Sequence, residues 1–176
     1  MNKFLLLFLL FTISCGNKSD EENEEAKEVK VYYPFSPRMD VDFENGNKNY
    51  ANVVLNIWRG YQSGNIKGYR KYFADSVSLF FYEKLVEGKT EDVLKIYQER
   101  RDKMASVQGH VEYWQPVYVK NKNEHWILLW VNQEATDRNK KLDSWSMHQV
   151  WKFNEQGKVY MVQEFRSVWN WEALSY

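Results

Sequence analysis

The spacing of apolar residues changes near residue 105, and this change constrains the fold more than any other feature of the chain. Upstream, apolar side chains recur every three or four positions, as in an amphipathic helix; the clearest set is Val53, Val54, Ile57, Trp58 and Tyr61. Downstream, from Val107, the spacing is two, which is typical of strands with one buried face. We therefore predict an α+β fold, with helices on one face of a curved antiparallel sheet.

The predicted elements are two helices, a strand, a third helix and four strands. The first helix begins near Asn49 and ends at Ser63-Gly64-Asn65, where glycine suits a left-handed cap. A short helix over 66–73 and a strand over 77–85 follow, the latter rich in β-formers. Thr90 is the expected N-cap of the third helix. The last strands are predicted at 107–120, 124–135, 144–153 and 158–169.

The segment MHQVWKFNEQGKVYMVQEF, residues 147–165, predicts a β-hairpin whose turn places Gly157 in the left-handed region. The expected cross-strand pairs are Phe153 with Val159, Trp151 with Met161, Gln149 with Gln163, and Met147 with Phe165. This register makes one face apolar except for two glutamines. The opposite, polar face would carry His148, Lys152, Lys158, Tyr160, Glu164 and Arg166.

Two amides on a buried face need partners, because an unpaired buried polar group costs about 1–3 kcal/mol. They either bond each other or nearby backbone, or serve as polar handles in a ligand pocket. The aromatic content of 17% favours a pocket, since large rings line ligand sites well. The predicted ligand-binding residues are Trp58, Phe81, Trp145, Met147, Gln149, Trp151 and Gln163.

Residues 52–81 together with the late hairpin resemble the nuclear transport factor 2-like (NTF2-like) superfamily, including its SnoaL-like and ketosteroid isomerase branches. The similar features are the helix ending at Gly64, the corner Phe73-Ala74-Asp75-Ser76, and the hairpin around Gly157. The resemblance covers about Asn49 to Trp171. It implies a cone-shaped roll with three N-terminal helices packed on a curved antiparallel sheet, a pocket at the open end, and a possible homodimer.

The resemblance does not carry the isomerase chemistry to this chain. The general base of ketosteroid isomerase falls at Phe81, its enolate-binding tyrosine near Ile57, and its protonated aspartate at Gln149. None of these side chains exchanges a proton near neutral pH. We therefore assign no catalytic residue and no cofactor. The alternative is a SnoaL-like cyclase, dehydratase or hydrolase that uses a carboxylate or His148; a Glu134–His148 pair would require both side chains to face inward.

The N-terminal residues predict where in the cell the protein is located. Residues 4–11 are apolar but fewer than the roughly 20 needed to span a bilayer, and Thr12-Ile13-Ser14-Cys15 resembles a bacterial lipobox with lipidation at Cys15. The run Ser19-Asp20-Glu21-Glu22 resembles the export signal of Bacteroidetes surface lipoproteins. We expect a Gram-negative outer-membrane lipoprotein anchored in the membrane, with surface exposure left open. The predicted segments are a signal peptide (1–14), an acidic tether (15–30), an extended lead-in (31–47), an NTF2-like domain (48–171) and a tail (172–176).

Composition narrows the possible functions. The formal net charge is zero, which argues against a nucleic-acid-binding protein, because such proteins need a clustered basic surface. The three histidines are scattered, so no metal site is predicted. Three hypotheses remain: a non-catalytic protein that binds a small, largely apolar molecule, a SnoaL-like enzyme, and a structural partner in an envelope complex. An open interior favours the first, an inward acid/base pair the second, and a filled interior the third.

Overall fold

The computed structural model of the protein describes residues 42–81 and 84–167, with the side chain of Ser167 excepted. The predicted signal peptide, Cys15, the acidic tether and the tail lie outside these residues. The helices are α1 (Asn49–Ser63), α2 (Thr90–Arg101) and two 3-10 helices, Lys67–Tyr72 and Lys120–Lys122. The strands are β1 (Phe43–Asn45), β2 (Phe73–Phe81), β3 (Lys84–Lys89), β4 (Met104–Val119), β5 (Glu124–Asp137), β6 (Leu142–Phe153) and β7 (Val159–Ser167).

The seven strands form one mixed sheet in the order β1-β4-β5-β6-β7-β2-β3. The prediction of a purely antiparallel sheet is wrong for one pair of strands, because β2 runs parallel to β7. The single strand expected over 77–85 is also wrong, since β2 and β3 are separate strands that pair antiparallel with each other. The extended lead-in contributes the short edge strand β1, which pairs with β4.

The first predicted helix has the expected bounds, and its end shows the expected cap. Gly64 has φ of 78°, and the N–H of Asn65 donates to the carbonyl of Gly60 at 2.9 Å. The second predicted helix is a 3-10 helix instead. Thr90 does not cap α2: its hydroxyl donates to the Ala74 carbonyl at 2.5 Å, which ties the start of α2 to β2. None of the described helices is long and apolar enough to cross a membrane.

The hairpin between β6 and β7 forms, but its register differs from the prediction. Gly157 has φ of 71°, and Phe153 pairs with Val159 as expected. An extra residue, Tyr160, then bulges out, so that Lys152 pairs with Met161 and every later pair shifts by one position. The observed pairs beyond the bulge are Trp151 with Val162, Val150 with Gln163, Gln149 with Glu164, His148 with Phe165, and Met147 with Arg166.

The core lies between the helices and the inner face of the sheet. Further irregularities in β4, between Met104 and Ser106 and between Val111 and Tyr113, add to the local twist of the sheet. On α1, Val54 is fully buried, and in the middle of β5 the buried row is Ile127, Leu129 and Val131. These contacts place α1 across β4 and β5 and leave α2 beside β2 and β3.

Candidate functional site

A cavity of about 250 Å³ remains between the helices and the inner face of the sheet. Its walls are mostly apolar or aromatic. The apolar lining consists of Ile57, Trp58, Ile66, Phe73, Leu79, Phe81, Leu94, Met104, Trp145, Met147, Trp151 and Val162. The polar lining consists of Tyr61, Tyr97, Arg100, Gln133, Asp143, Gln149, Glu164 and Arg166. An apolar hollow with a few polar groups is the usual form of a small-molecule site.

Gln149 is held by three hydrogen bonds within the cavity wall. The indole N–H groups of Trp58 and Trp151 donate to its Oε1 at 3.0 and 2.9 Å, and its Nε2 donates to Oε2 of Glu164 at 2.8 Å. Because the indoles can only donate, they fix which end of the amide faces Glu164. Gln149 is therefore satisfied by two indoles and a carboxyl rather than by Gln163.

The arrangement of the polar wall depends on the close approach of α1 to β4. Gly109 lies on the inner face of β4, and a Cβ atom at this position would come within 2.9 Å of the Trp58 ring. Gln62 also donates to the Gly109 carbonyl, at 3.2 Å. The glycine thus leaves room for the indole that binds Gln149.

Glu164 lines the cavity, whereas the expected register placed it on the opposite, polar face of the hairpin. The bulge at Tyr160 turns its side chain inward, and burial raises its carboxyl pKa, while the hydrogen bond from Gln149 and the charge of Arg100 act in the opposite direction. Its other carboxyl oxygen, Oε1, has no hydrogen-bond partner within residues 42–81 and 84–167. The carboxyl is therefore oriented on one side and available on the other.

Two tyrosines add hydroxyl groups to the lining. Burial raises the pKa of both, that of Tyr97 well above its ordinary value, and the charge of Glu164 contributes to both shifts. The Tyr97 hydroxyl is buried and makes no hydrogen bond with any described residue. The Tyr61 hydroxyl, in contrast, reaches Sδ of Met104 at 3.9 Å. Tyr97 thus presents an unsatisfied polar group to the cavity.

Charged side chains also line the cavity. The Arg166 guanidinium lies over the Trp145 indole, 3.1 Å from the ring centroid, and burial lowers its pKa to about 10. Arg100 and Asp143 are exposed, and Asp143 pairs with Lys141 at 3.3 Å. The more deeply placed carboxyl of the lining is therefore Glu164.

Six of the seven predicted ligand-binding residues line this cavity, namely Trp58, Phe81, Trp145, Met147, Gln149 and Trp151. Gln163 does not, because the bulge turns it to the outer face, where it pairs with Val150. Ile57, which the resemblance aligned with the isomerase tyrosine, is also in the lining. The three positions that the resemblance aligned with proton-transferring side chains of the isomerase, Ile57, Phe81 and Gln149, therefore all lie in the cavity lining.

The outer face of the sheet carries the residues of the proposed Glu134–His148 pair. The His148 ring stacks on Trp130 at 4.4 Å between ring centroids, Trp130 stacks in turn on Tyr113 at 4.2 Å, and Glu134 is exposed. Neither side chain faces the cavity, so they cannot serve a reaction there. Across residues 42–81 and 84–167, no group of three or more His, Cys, Asp or Glu side chains is arranged to hold a metal ion.

No protein-family model matches the chain, and no curated protein matches it significantly. Solved structures, in contrast, do match the fold. An NTF2-like protein of unknown function from Exiguobacterium sp. 255-15 superimposes with a TM-score of 0.55 at 6% identity, covering 66% of this chain and 99% of that one. SalBIII, an epoxide hydrolase/cyclase-like enzyme in pyran ring formation in the polyether salinomycin, gives 0.54 at 13% identity, covering 69% and 92%.

A candidate SnoaL-like polyketide cyclase from Jannaschia sp. CCS1 gives a TM-score of 0.56 at 10% identity, covering 76% of this chain and 92% of that one. At such low identities the likeness concerns the fold and not the chemistry. The chain therefore has the nuclear transport factor 2-like fold, as the resemblance in its sequence implied.

Proposed function

We propose that the protein binds a small, largely apolar molecule in the cavity between its helices and its sheet. The observation that carries this proposal is an apolar hollow with a fixed polar wall, in which Trp58 and Trp151 orient Gln149 and Gln149 orients Glu164. A core built only for stability would fill this space, since interiors pack with few voids larger than a water molecule. The open interior also argues against the structural-partner hypothesis.

The size of the cavity limits the ligand. An apolar cavity of about 150 Å³ accepts benzene, and drug-sized molecules occupy about 300–1,000 Å³. The volume of about 250 Å³ found here therefore suits a molecule of one or two rings. Its polar atoms are expected to face Gln149, Glu164 and Tyr97.

The cellular setting of this binding protein is part of the proposal. The apolar run of residues 4–11 followed by Thr12-Ile13-Ser14-Cys15 supports lipidation at Cys15 and an outer-membrane location. Residues 15–30, with six acidic side chains between Asp20 and Glu28, would then be the acidic tether between the lipid and the domain. The domain would meet its ligand close to the membrane.

Native mass spectrometry of the protein purified from its natural cells tests the binding proposal. We expect a second mass peak that corresponds to a bound small molecule. The peak should be lost in Val162→Phe, which fills the cavity from β7, and kept in Val150→Phe, which enlarges a side chain on the outer face. An unliganded mass for the natural protein, together with no binding of 2-naphthylmethanol in calorimetry, would contradict the proposal.

A second candidate function, acid/base catalysis, is favoured by one observation: a carboxyl of raised pKa lies inside the cavity with the unsatisfied Tyr97 hydroxyl. Cyclase-like proteins share the fold. Incubation of the protein in D₂O with the molecule that copurifies with it separates binding from catalysis. An enzyme would incorporate deuterium at a carbon atom of the ligand, and this incorporation would require Glu164. A non-catalytic binding protein would leave the mass of the ligand unchanged.

A further inference from the structure

The carboxyl of Glu164 is a partly satisfied acid among aromatic rings. It receives one hydrogen bond, from Gln149 to Oε2. Within the described ranges, no lysine, arginine or histidine nitrogen lies within 4.0 Å of its oxygens. A largely buried carboxylate is ordinarily paired with a cation. Among the described residues Glu164 has no cation in direct contact, and the charge of Arg100 acts on it from farther away.

The surroundings of the carboxyl suit an organic cation. The rings of Trp58, Tyr61, Phe81, Tyr97 and Trp151 line the same cavity, and a cation within about 6 Å of an aromatic ring centroid is attracted to the ring face. The Tyr97 hydroxyl, which has no partner in the described chain, offers an oxygen that accepts a hydrogen bond. The cavity therefore combines three kinds of group that attract a cation: a carboxylate, a hydroxyl oxygen and several aromatic ring faces.

We propose that the ligand carries a protonated amine on its apolar body, and that this ammonium group donates hydrogen bonds to Oε1 of Glu164 and to the Tyr97 hydroxyl oxygen. This inference rests on the proposed function, since it names the chemical class of the molecule in the same cavity. The ammonium supplies the charge-assisted hydrogen bond that the carboxylate lacks, and such bonds are about twice as strong as neutral ones.

The two guanidinium groups of the lining do not exclude a cationic ligand. Arg100 is exposed, so water and salt screen its charge. The Arg166 guanidinium is stacked on the Trp145 indole. Asp143 adds an opposite charge to the lining. The ammonium is therefore expected at the Glu164 side of the cavity, and the apolar body toward Met147 and Val162.

Isothermal titration calorimetry with three bicyclic probes tests the inference on the unaltered protein. The probes are 2-naphthylmethylamine, 2-naphthylmethanol and 2-naphthoate, which differ mainly in the charge of one polar group. We expect the amine to bind at least about tenfold more tightly than the alcohol, and the naphthoate to bind most weakly. Two results would overturn the inference: equal affinities for the amine and the alcohol, or the highest affinity for the naphthoate. Either result would leave the proposed function intact.

Three variants locate the preference at Glu164. Glu164→Gln should bind amine and alcohol with equal affinity, whereas Glu164→Asp, which keeps the charge, should retain part of the preference. Glu134→Gln, which removes an exposed carboxylate on the outer face, should bind both probes as the unaltered protein does. Circular dichroism checks that each variant is folded. An amine preference that survives in Glu164→Gln would overturn the assignment, and absence of binding by all three probes would count against the proposed function itself.

Discussion

Replacing Gln149 with leucine removes the amide that connects two indoles with a carboxyl. Gln149, Trp58 and Trp151 are 4%, 5% and 6% exposed, so water cannot easily replace the lost amide oxygen. Each indole N–H left without an acceptor costs about 1–3 kcal/mol, or about 2–6 kcal/mol for the pair. The additional apolar burial of leucine offsets about 1 kcal/mol. We therefore expect the free energy of unfolding to fall by about 1–5 kcal/mol.

Urea unfolding followed by far-UV circular dichroism measures this loss without depending on the fluorescence of the affected tryptophans. The matched control is Gln163→Leu, in which a glutamine on the second strand of the same hairpin, on the outer face, receives the same change. We expect its effect to stay within about 0.5 kcal/mol. Equal losses in the two variants, or a larger loss in Gln163→Leu, would refute the reasoning about the indole–amide–carboxyl connection.

Three further predictions concern stability. Burial raises the folded-state pKa of Glu164, so the unfolded chain ionises first as pH rises past the ordinary carboxyl value of 4.5. Glu164→Gln should therefore gain stability relative to the unaltered protein between pH 4 and pH 8, measured by urea titration, and a variant that instead loses stability relative to the unaltered protein over this range would contradict the prediction. Arg101, 8% exposed, donates hydrogen bonds at 2.9 Å to three backbone carbonyls. Arg101→Met should therefore lower the free energy of unfolding by about 3 kcal/mol or more in the same assay. A loss below about 1 kcal/mol would refute the stabilising role of these hydrogen bonds. The fully buried Leu129, changed to alanine, should cost about 2–5 kcal/mol, whereas Leu142→Ala, at a side chain 60% exposed, should stay within about 0.5 kcal/mol; similar losses would contradict the assignment of the core.

The parts of the fold that the sequence predicted correctly depend on local signals. Helix α1 has both the apolar spacing and the glycine that ends it, and Gly157 occupies the left-handed position that the turn requires. Four cavity residues on β6 followed from the alternation of its side chains, Phe81 followed from the family alignment, and Trp58 followed from the apolar face of α1. Trp58, for example, lies on the apolar face of α1, so that its inward direction follows from helical spacing alone.

The inward position of Glu164 has no comparable local signal. The residues Val159, Tyr160, Met161 and Val162 are all β-formers, so the sequence does not mark where an extra residue is inserted. The neighbouring strand β2 shows a register shift at the same level, between Phe73 and Ser78. The bulge therefore coincides with the pairing of β7 with a strand that lies far away in the chain, and hydrophobic spacing alone cannot predict such a pairing.

The expected register also placed the carboxyl of Glu164 outside the site. In the expected register the polar wall consisted of two neutral amides, which suggested binding without catalysis. In the structure Gln163 lies outside, and the wall contains Gln149 and the carboxyl of Glu164. The same shift brings Arg166 into the lining. The candidate site therefore contains ionisable side chains as well as apolar ones. For this reason proton transfer is a second function to test.

Methionine methyl NMR tests the central claim, that the hollow interior takes up a small molecule, most directly. Met104 and Met147 line the cavity, whereas Met161 lies on β7 opposite Lys152, on the outer face. Titration of the protein, labelled with ¹³C at its methionine methyl groups, with 2-naphthylmethylamine should shift the Met104 and Met147 signals through the ring current of the ligand and leave that of Met161 in place. A titration that shifts Met161 alone, or none of the three signals, would contradict the account.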